Sequence, residues 1–271
     1  MSELDILEQS KEVQPVETPP STLSKFFIEA AAIMTFVWRF FKEVFKPRYE
    51  LNELIEQSFL VGYKSFPLVA ITGFIIGLVL TIQTRPTLAA FGAESWLPAM
   101  VAVSLIREIG PVITSLIFAG KVGSGIGAEL ASMNVSQQID AMQVSGTNPF
   151  KFLVVTRVLS ATLMLPILVI LADFIGLLGT YAGVNITGNV SMGLFFTQVF
   201  QSISYQDLIP AIIKTFFFGF AIGLVGCYKG YYSDNGTEGV GKAANSAVVV
   251  ASLMVFIIDM IAVQITSMLQ F

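Results

Sequence analysis

Five apolar runs, at 66–84, 96–120, 158–184, 208–227 and 246–269, leave this chain of 271 residues little choice of solvent. Each reaches the length of about 20 predominantly apolar residues that a helix needs to cross the hydrocarbon core of a bilayer. A helix also satisfies its own backbone there, where no water is available to do it. With 54% of residues hydrophobic and only 13% charged, the balance is that of a membrane protein. The fold class is therefore an all-α membrane protein with five transmembrane helices.

Residues 23–46 look like a sixth span but carry Lys25, Glu29, Thr35, Arg39, Lys42 and Lys46 at helical spacing, opposite Phe26, Phe27, Ile33, Met34, Val37, Phe40, Phe41 and Val44. Such a stripe marks an amphipathic helix lying in the membrane surface. A weaker form of the pattern at 50–64, after Pro47, predicts a second interfacial helix leading into the first span. Residues 1–22 are acidic, with Glu3, Asp5, Glu8, Glu12 and Glu17 against one Lys11, and contain Pro15, Pro19 and Pro20. They read as a disordered cytoplasmic tail rather than a cleavable signal. The domain plan is thus a tail at 1–22, interfacial helices at 23–65 and a five-span body at 66–271.

Lys and Arg collect on the cytoplasmic side of membrane proteins. With the N-terminus inside, the inner segments hold nearly all the basic residues between the spans, from Lys46 and Lys64 through Lys121, Lys151 and Arg157 to Lys229 and Lys242, and the outer ones hold only Arg85. Five spans then place Phe271 outside.

Several chemistries are excluded. There is no histidine, so Ser-His triads and His-based metal sites are absent, and no metal site is expected. The net charge of −4 gives no support to nucleic-acid binding. The single Cys227 reads as a small buried hydrophobe. The segment 236–242 has the Gly and Lys spacing of a phosphate-binding loop, but Ala243 replaces the Ser or Thr that holds magnesium, and a span rather than a strand precedes it. Neither Asp173 nor Asp259 stands in the Gly-x-Gly-Asp setting of an intramembrane aspartyl protease. No cofactor is expected in this chain, so any ATP and magnesium that drive it would belong to another one.

The longest inner loop, 121–157, is polar yet patterned. Ser136 is expected to cap a short helix at 137–144, which Gly146 ends and Pro149 stops. A surface helix held between two spans is what a motor subunit can push. Small residues recur at helix-contact spacing at Gly73 and Gly77, at Gly176, Gly179 and Gly183, and at Gly219 and Gly223. They let backbones approach closely in lipid, and packing within one subunit is the simpler reading of each set.

The run 105–160, LIREIGPVITSLIFAGKVGSGIGAELASMNVSQQIDAMQVSGTNPFKFLVVTRVLS, closely resembles the MlaE family of permeases. The likeness continues more loosely from residue 60 to the C-terminus, through Lys229-Gly230-Tyr231 and the small residues 239–247. The resemblance implies the membrane subunit of an ABC transporter that moves phospholipid between the inner and outer bacterial membranes. It implies an ABC ATPase dimer as motor, a second copy of this chain, and an MCE-domain partner in the periplasm. In that family the loop helix docks into the ATPase, which maps here onto Gln137, Gln138, Ile139, Asp140, Ala141 and Met142. Gln137 stands where an acidic residue is common and Met142 where leucine is. The acidic tail has no counterpart in the resemblance.

Charges inside spans cost about 2.5–3.5 kcal/mol each on insertion scales and face protein or water. Here they are Arg107 and Glu108 near the middle of the second span, Asp173 in the third, Lys214 in the fourth and Asp259 in the fifth. Arg107, Glu108 and Lys214 are expected to line a polar lipid cavity opening outward, its cations meeting a lipid phosphate. Neighbouring helical residues diverge by about 100°, so one of Arg107 and Glu108 is expected in the cavity and the other in a pair within the bundle. Asp173 and Asp259 read equally as residues of that cavity and as members of an internal salt-bridge set, and Phe217 as lipid-facing. The rival reading is an ion-coupled carrier using Asp173, Asp259 and Lys214 as a proton relay.

Overall fold

A computed structural model describes residues 22–47, 50–186, 188–234 and 236–269, and all the described elements are helical. The expected tail, apart from Thr22, and the C-terminal Phe271 lie outside the described residues. The chain divides into Met1–Phe41 and Lys42–Phe271. Helix α1, Thr22–Val44, is amphipathic, and Met34 and Trp38 on it are exposed.

Five helices are long and apolar enough to cross a membrane. The first, α2 (Leu51–Ala90), fuses the residues expected as a second interfacial helix with those of the first span. Nothing between them stops a helix. The polarity changes near residue 65, but a change of polarity marks a change of surroundings and not an end of hydrogen bonding. Pro67 lies inside α2, where it removes a donor and crowds the preceding turn. The ammonium of Lys121 donates to the nearby Lys64 carbonyl.

The second spanning helix, α3 (Glu94–Val135), runs well past the end expected at 120. It contains two π-helical turns, Leu105–Ile109 and Ala119–Gly123. In the first, the Gly110 N–H reaches back to the Leu105 carbonyl, and Pro111, which has no N–H, follows directly. Wide turns of this kind concentrate at functional positions. After the short α4 (Gln138–Val144) comes α5 (Phe150–Asn185), whose first turn, Phe150–Val155, is also π-helical. Then follow α6 (Met192–Ser202), α7 (Tyr205–Tyr231) and α8 (Thr237–Leu269). Residues 185–207 lie between the third and fourth apolar runs. Helix α6 lies within this stretch, capped by the Ser191 hydroxyl, which accepts from the Leu194 N–H at 3.3 Å. Phe195 and Val199 hold it in a buried cluster with Leu97, Val101 and Leu105 of α3 and Leu177 and Val184 of α5.

The small residues explain the packing. Helices α2 and α5 run parallel with backbones nearly touching: a Cβ on Gly73 would stand 2.7 Å from the Ala172 carbonyl oxygen, and one on Gly77 would overlap the Gly176 carbonyl. Gly179 and Gly183 meet Phe74 and Thr81 in return. Helix α7 crosses the start of α5 antiparallel through Gly219 and Gly223, which face Ala161 and Val158. All three sets therefore make seams within one subunit. Helix α8 is different, with only 17% of its apolar window buried against 50% for α3 and α7.

Candidate functional site

Four of the ionic residues of the spans, Arg107, Glu108, Lys214 and Asp259, come together between α3, α7 and α8. The Lys214 ammonium, on α7, donates to the Glu108 carboxylate of α3 at 2.5 Å and to the Asp259 carboxylate of α8 at 2.9 Å. Its side chain is 4% exposed. Two carboxylates around one buried ammonium compensate its loss of hydration, and one neutralises it.

Arg107 turns to another partner, its guanidinium 3.6 Å from the Asp207 carboxylate. Asp207 lies at the start of the fourth span and is not among the charges expected inside the spans. It closes a capping box at the head of α7, accepting from the Ser204 N–H at 3.2 Å while the Ser204 hydroxyl accepts from Gln206 N–H at 3.3 Å. The Ser-x-x-Asp spacing before an apolar run is a legible start signal.

Arg107 and Glu108 do not divide between cavity and bundle. Both line one small polar pocket, together with Gln206, Asp207 and Lys214. Both stand on the π-helical turn Leu105–Ile109 and keep different partners, Arg107 with Asp207 and Glu108 with Lys214. Through Gln206, Pro210, Lys214, Ala262 and Thr266 this pocket adjoins a larger groove of about 320 Å³ between α7 and α8. Ile213, Phe217 and Ile265 make its apolar wall. Phe217 lines the groove and is also 58% exposed, so its place on the groove wall is compatible with the outward-facing position expected of it. An apolar volume with a few convergent polar groups is the general form of a small-molecule site.

Asp173 does not join the set. One of its carboxylate oxygens is buried without a hydrogen-bond partner among the described residues and presses against Gly110. The side chain also lines an apolar crevice with Phe174, Phe196 and Phe200. Asp173 and Asp259 thus have different surroundings.

At the opposite end of α3 lies α4. Ser136 does not cap it: its hydroxyl donates to the Ser132 carbonyl at 2.7 Å and closes the preceding helix. Gln137 occupies the cap position with a left-handed φ of 56° and no side-chain bond. Gly146, at φ +81°, ends α4 in a Schellman turn, with Gly146 N–H to Gln143 O at 3.1 Å and Thr147 N–H to Met142 O at 3.1 Å. Ile139 is buried and anchors the helix, Met142 is half-buried, and Gln137, Gln138, Asp140 and Ala141 are exposed. Val144, which the family pattern does not flag, is 90% exposed.

Three polar ties fix the surroundings of α4. Asn134 donates to the Ser233 carbonyl at 3.1 Å, and Asn148 to the Glu43 carboxylate at 3.0 Å. The buried Arg157 of α5 donates to Glu129 of α3 at 2.8 Å and to the Leu153 carbonyl at 3.1 Å. The segment with phosphate-loop spacing opens α8 after Gly236, and Lys242 pairs with Glu238 at 2.8 Å.

The chain is similar to known proteins over most of its length. Residues 54–265 match the family model described as Permease MlaE. A probable ABC transporter permease protein of Rickettsia typhi is 40% identical over 79% of this chain and 83% of its own length. A probable ABC transporter permease protein of Synechocystis is 32% identical over 87% and 90%. The intermembrane phospholipid transport system permease protein MlaE of Haemophilus influenzae is 34% identical over 77% and 80%. With most of its length matched and five spanning helices in place, the chain belongs to the MlaE family of permeases.

Proposed function

We propose that this chain is the membrane subunit of an ABC transporter that moves phospholipid between the inner and outer membranes of a bacterium, with acyl chains held in the groove between α7 and α8. The observation that carries the reading is the groove itself: apolar walls of Ile213, Phe217 and Ile265 lead to a polar end where Arg107, Glu108 and Lys214 converge. An amphiphile has the same two parts. The Haemophilus relative is an intermembrane phospholipid transport system permease, which supports phospholipid as the cargo.

A separate ABC ATPase dimer supplies the energy. It docks on α4 through Gln137, Gln138, Asp140 and Ala141, with Ile139 as the anchor that passes force inward and Met142 beside it. Force on α4 reaches the ionic end because α3 is one helix from Glu94 to Val135 and holds Arg107 and Glu108, while Glu129 and Arg157 tie α3 to α5. Two ATPases need two membrane halves, so a second copy of this chain completes the transporter, and an MCE-domain protein receives lipid on the periplasmic side. The N-terminus lies in the cytoplasm, α1 lies in the membrane surface, and the C-terminus is periplasmic.

The test is co-purification followed by reconstitution. The tagged chain brings down an ATPase, and the complex moves labelled phospholipid only with hydrolysable ATP. Asp140→Lys leaves the chain folded but cuts ATP-driven lipid movement about tenfold or more, as loss of a desolvated charged contact does. Transport by the isolated chain driven by a proton gradient would establish the carrier reading instead.

A further inference from the structure

The charge inventory at the polar end of the groove is uneven. Two cations, Arg107 and Lys214, stand among three carboxylates, Glu108, Asp207 and Asp259. Lys214 is enclosed and already shared by two of those carboxylates, so it has little left to offer a ligand. The groups with surface to spare are Arg107, 39% exposed with a partner at 3.6 Å, and Glu108, 36% exposed with an edge beyond its contact to Lys214. They are adjacent on one wide turn and line the same pocket.

We infer that the site selects a zwitterionic phospholipid bearing a primary ammonium, with the phosphate on the Arg107 guanidinium and the ammonium on the Glu108 carboxylate. This rests on the proposed phospholipid groove and names the head group it prefers. A guanidinium offers a phosphate two parallel donors, and an exposed carboxylate offers an ammonium an acceptor. An anionic head group without an amine satisfies Arg107 but adds negative charge to an end already short of cations and leaves Glu108 unengaged. Like charge at close range in a poorly solvated site is repulsive, so the second class of lipid is the weaker ligand.

The experiment uses the full chain with its co-purifying subunits, in vesicles of phosphatidylethanolamine and phosphatidylglycerol in equal amounts. A photoreactive residue replaces Phe217 on the groove wall, and a control replaces Ile71, which is exposed outside the groove. Adducts at 217 are enriched in phosphatidylethanolamine roughly tenfold over those at 71, the factor that about 1.4 kcal/mol of differential binding produces. Glu108→Gln brings the ratio close to that of the vesicle while adducts at 217 persist, and Arg107→Gln lowers adducts of both lipids. Asp259→Asn also removes a partner of Lys214 but keeps most of the preference. Free phosphoethanolamine does not compete, because the groove holds the chains.

Equal or reversed labelling at 217 in the unsubstituted complex overturns the head-group assignment and leaves the groove as a lipid site. Equal loss of preference in Glu108→Gln and Asp259→Asn overturns the ammonium contact in favour of net charge alone. Adducts at 217 no more frequent than at 71 overturn the groove and the selectivity together.

Discussion

The seam between α2 and α5 and the groove between α7 and α8 are built on opposite plans. In the seam, glycines bring two parallel backbones into contact from Gly73 to Thr81 on one side and from Ala172 to Gly183 on the other. In the groove, large apolar side chains stand apart around empty space, and the ionic residues sit at one end. Lipid tails are as apolar as leucine, so apolar side chains alone do not hold helices together in a membrane, and close backbone approach does. The difference divides the molecule into a fixed frame and a side with room to change. Helix α8, the least buried span, forms the loose wall.

The sharpest way to break this contrast is to add volume to the seam. Gly77→Leu has no place for its side chain, because even a Cβ overlaps the Gly176 carbonyl. Loss of about 3 kcal/mol or more is expected from overpacking against backbone, read as absence of folded chain in detergent extracts. Substantial yield of a monodisperse Gly77→Leu protein would show the seam to be looser than drawn.

A smaller effect separates the structural and ligand roles of the ionic end. Lys214→Met leaves Glu108 and Asp259 facing each other without their cation and costs about 3 kcal/mol, the lower range for breaking a buried pair. Adding Glu108→Gln and Asp259→Asn removes the stranded charges and restores most of the melting temperature without restoring lipid movement. Full recovery of transport in the triple variant would reduce the cluster to packing.

The smallest effect is at Phe217, more than half exposed on the groove wall. Phe217→Ala changes stability by within about 0.5 kcal/mol, as surface substitutions do, yet lowers lipid retention through purification, measured by phosphorus content. An equal fall for Ile71→Ala, outside the groove, would deny the groove any special hold on lipid.

The sequence makes the frame of this fold legible because hydrocarbon imposes one rule on every span. The apolar runs at 66–84 and 208–227 fall inside α2 and α7 for that reason. What hydropathy does not report is where a helix ends in a polar setting. The fusion of 50–64 with the first span and the extension of α3 to Val135 lie where side chains turn polar while backbone hydrogen bonding continues, and the helix at Met192–Ser202 is apolar but too short to read as a span. The ionic residues of the site were readable as a set because charge in a span is costly. Their pairing was not: adjacent helical residues diverge, yet Arg107 and Glu108 both line one pocket, the first reaching Asp207 and the second Lys214. Asp207 escaped notice because it sits at a helix start, where a carboxylate already has a role as a cap. The resemblance placed α4, and the local geometry changed its cap from Ser136 to Gln137.

The most direct test is a reconstruction of the assembled transporter in lipid without nucleotide. The account predicts elongated density along Ile213, Phe217 and Ile265, ending in a head group beside Arg107 and Glu108, with the α2–α5 seam dry. A groove filled by side chains of a neighbouring helix, with Arg107 and Glu108 sealed in protein pairs and lipid only at the periphery, would contradict it.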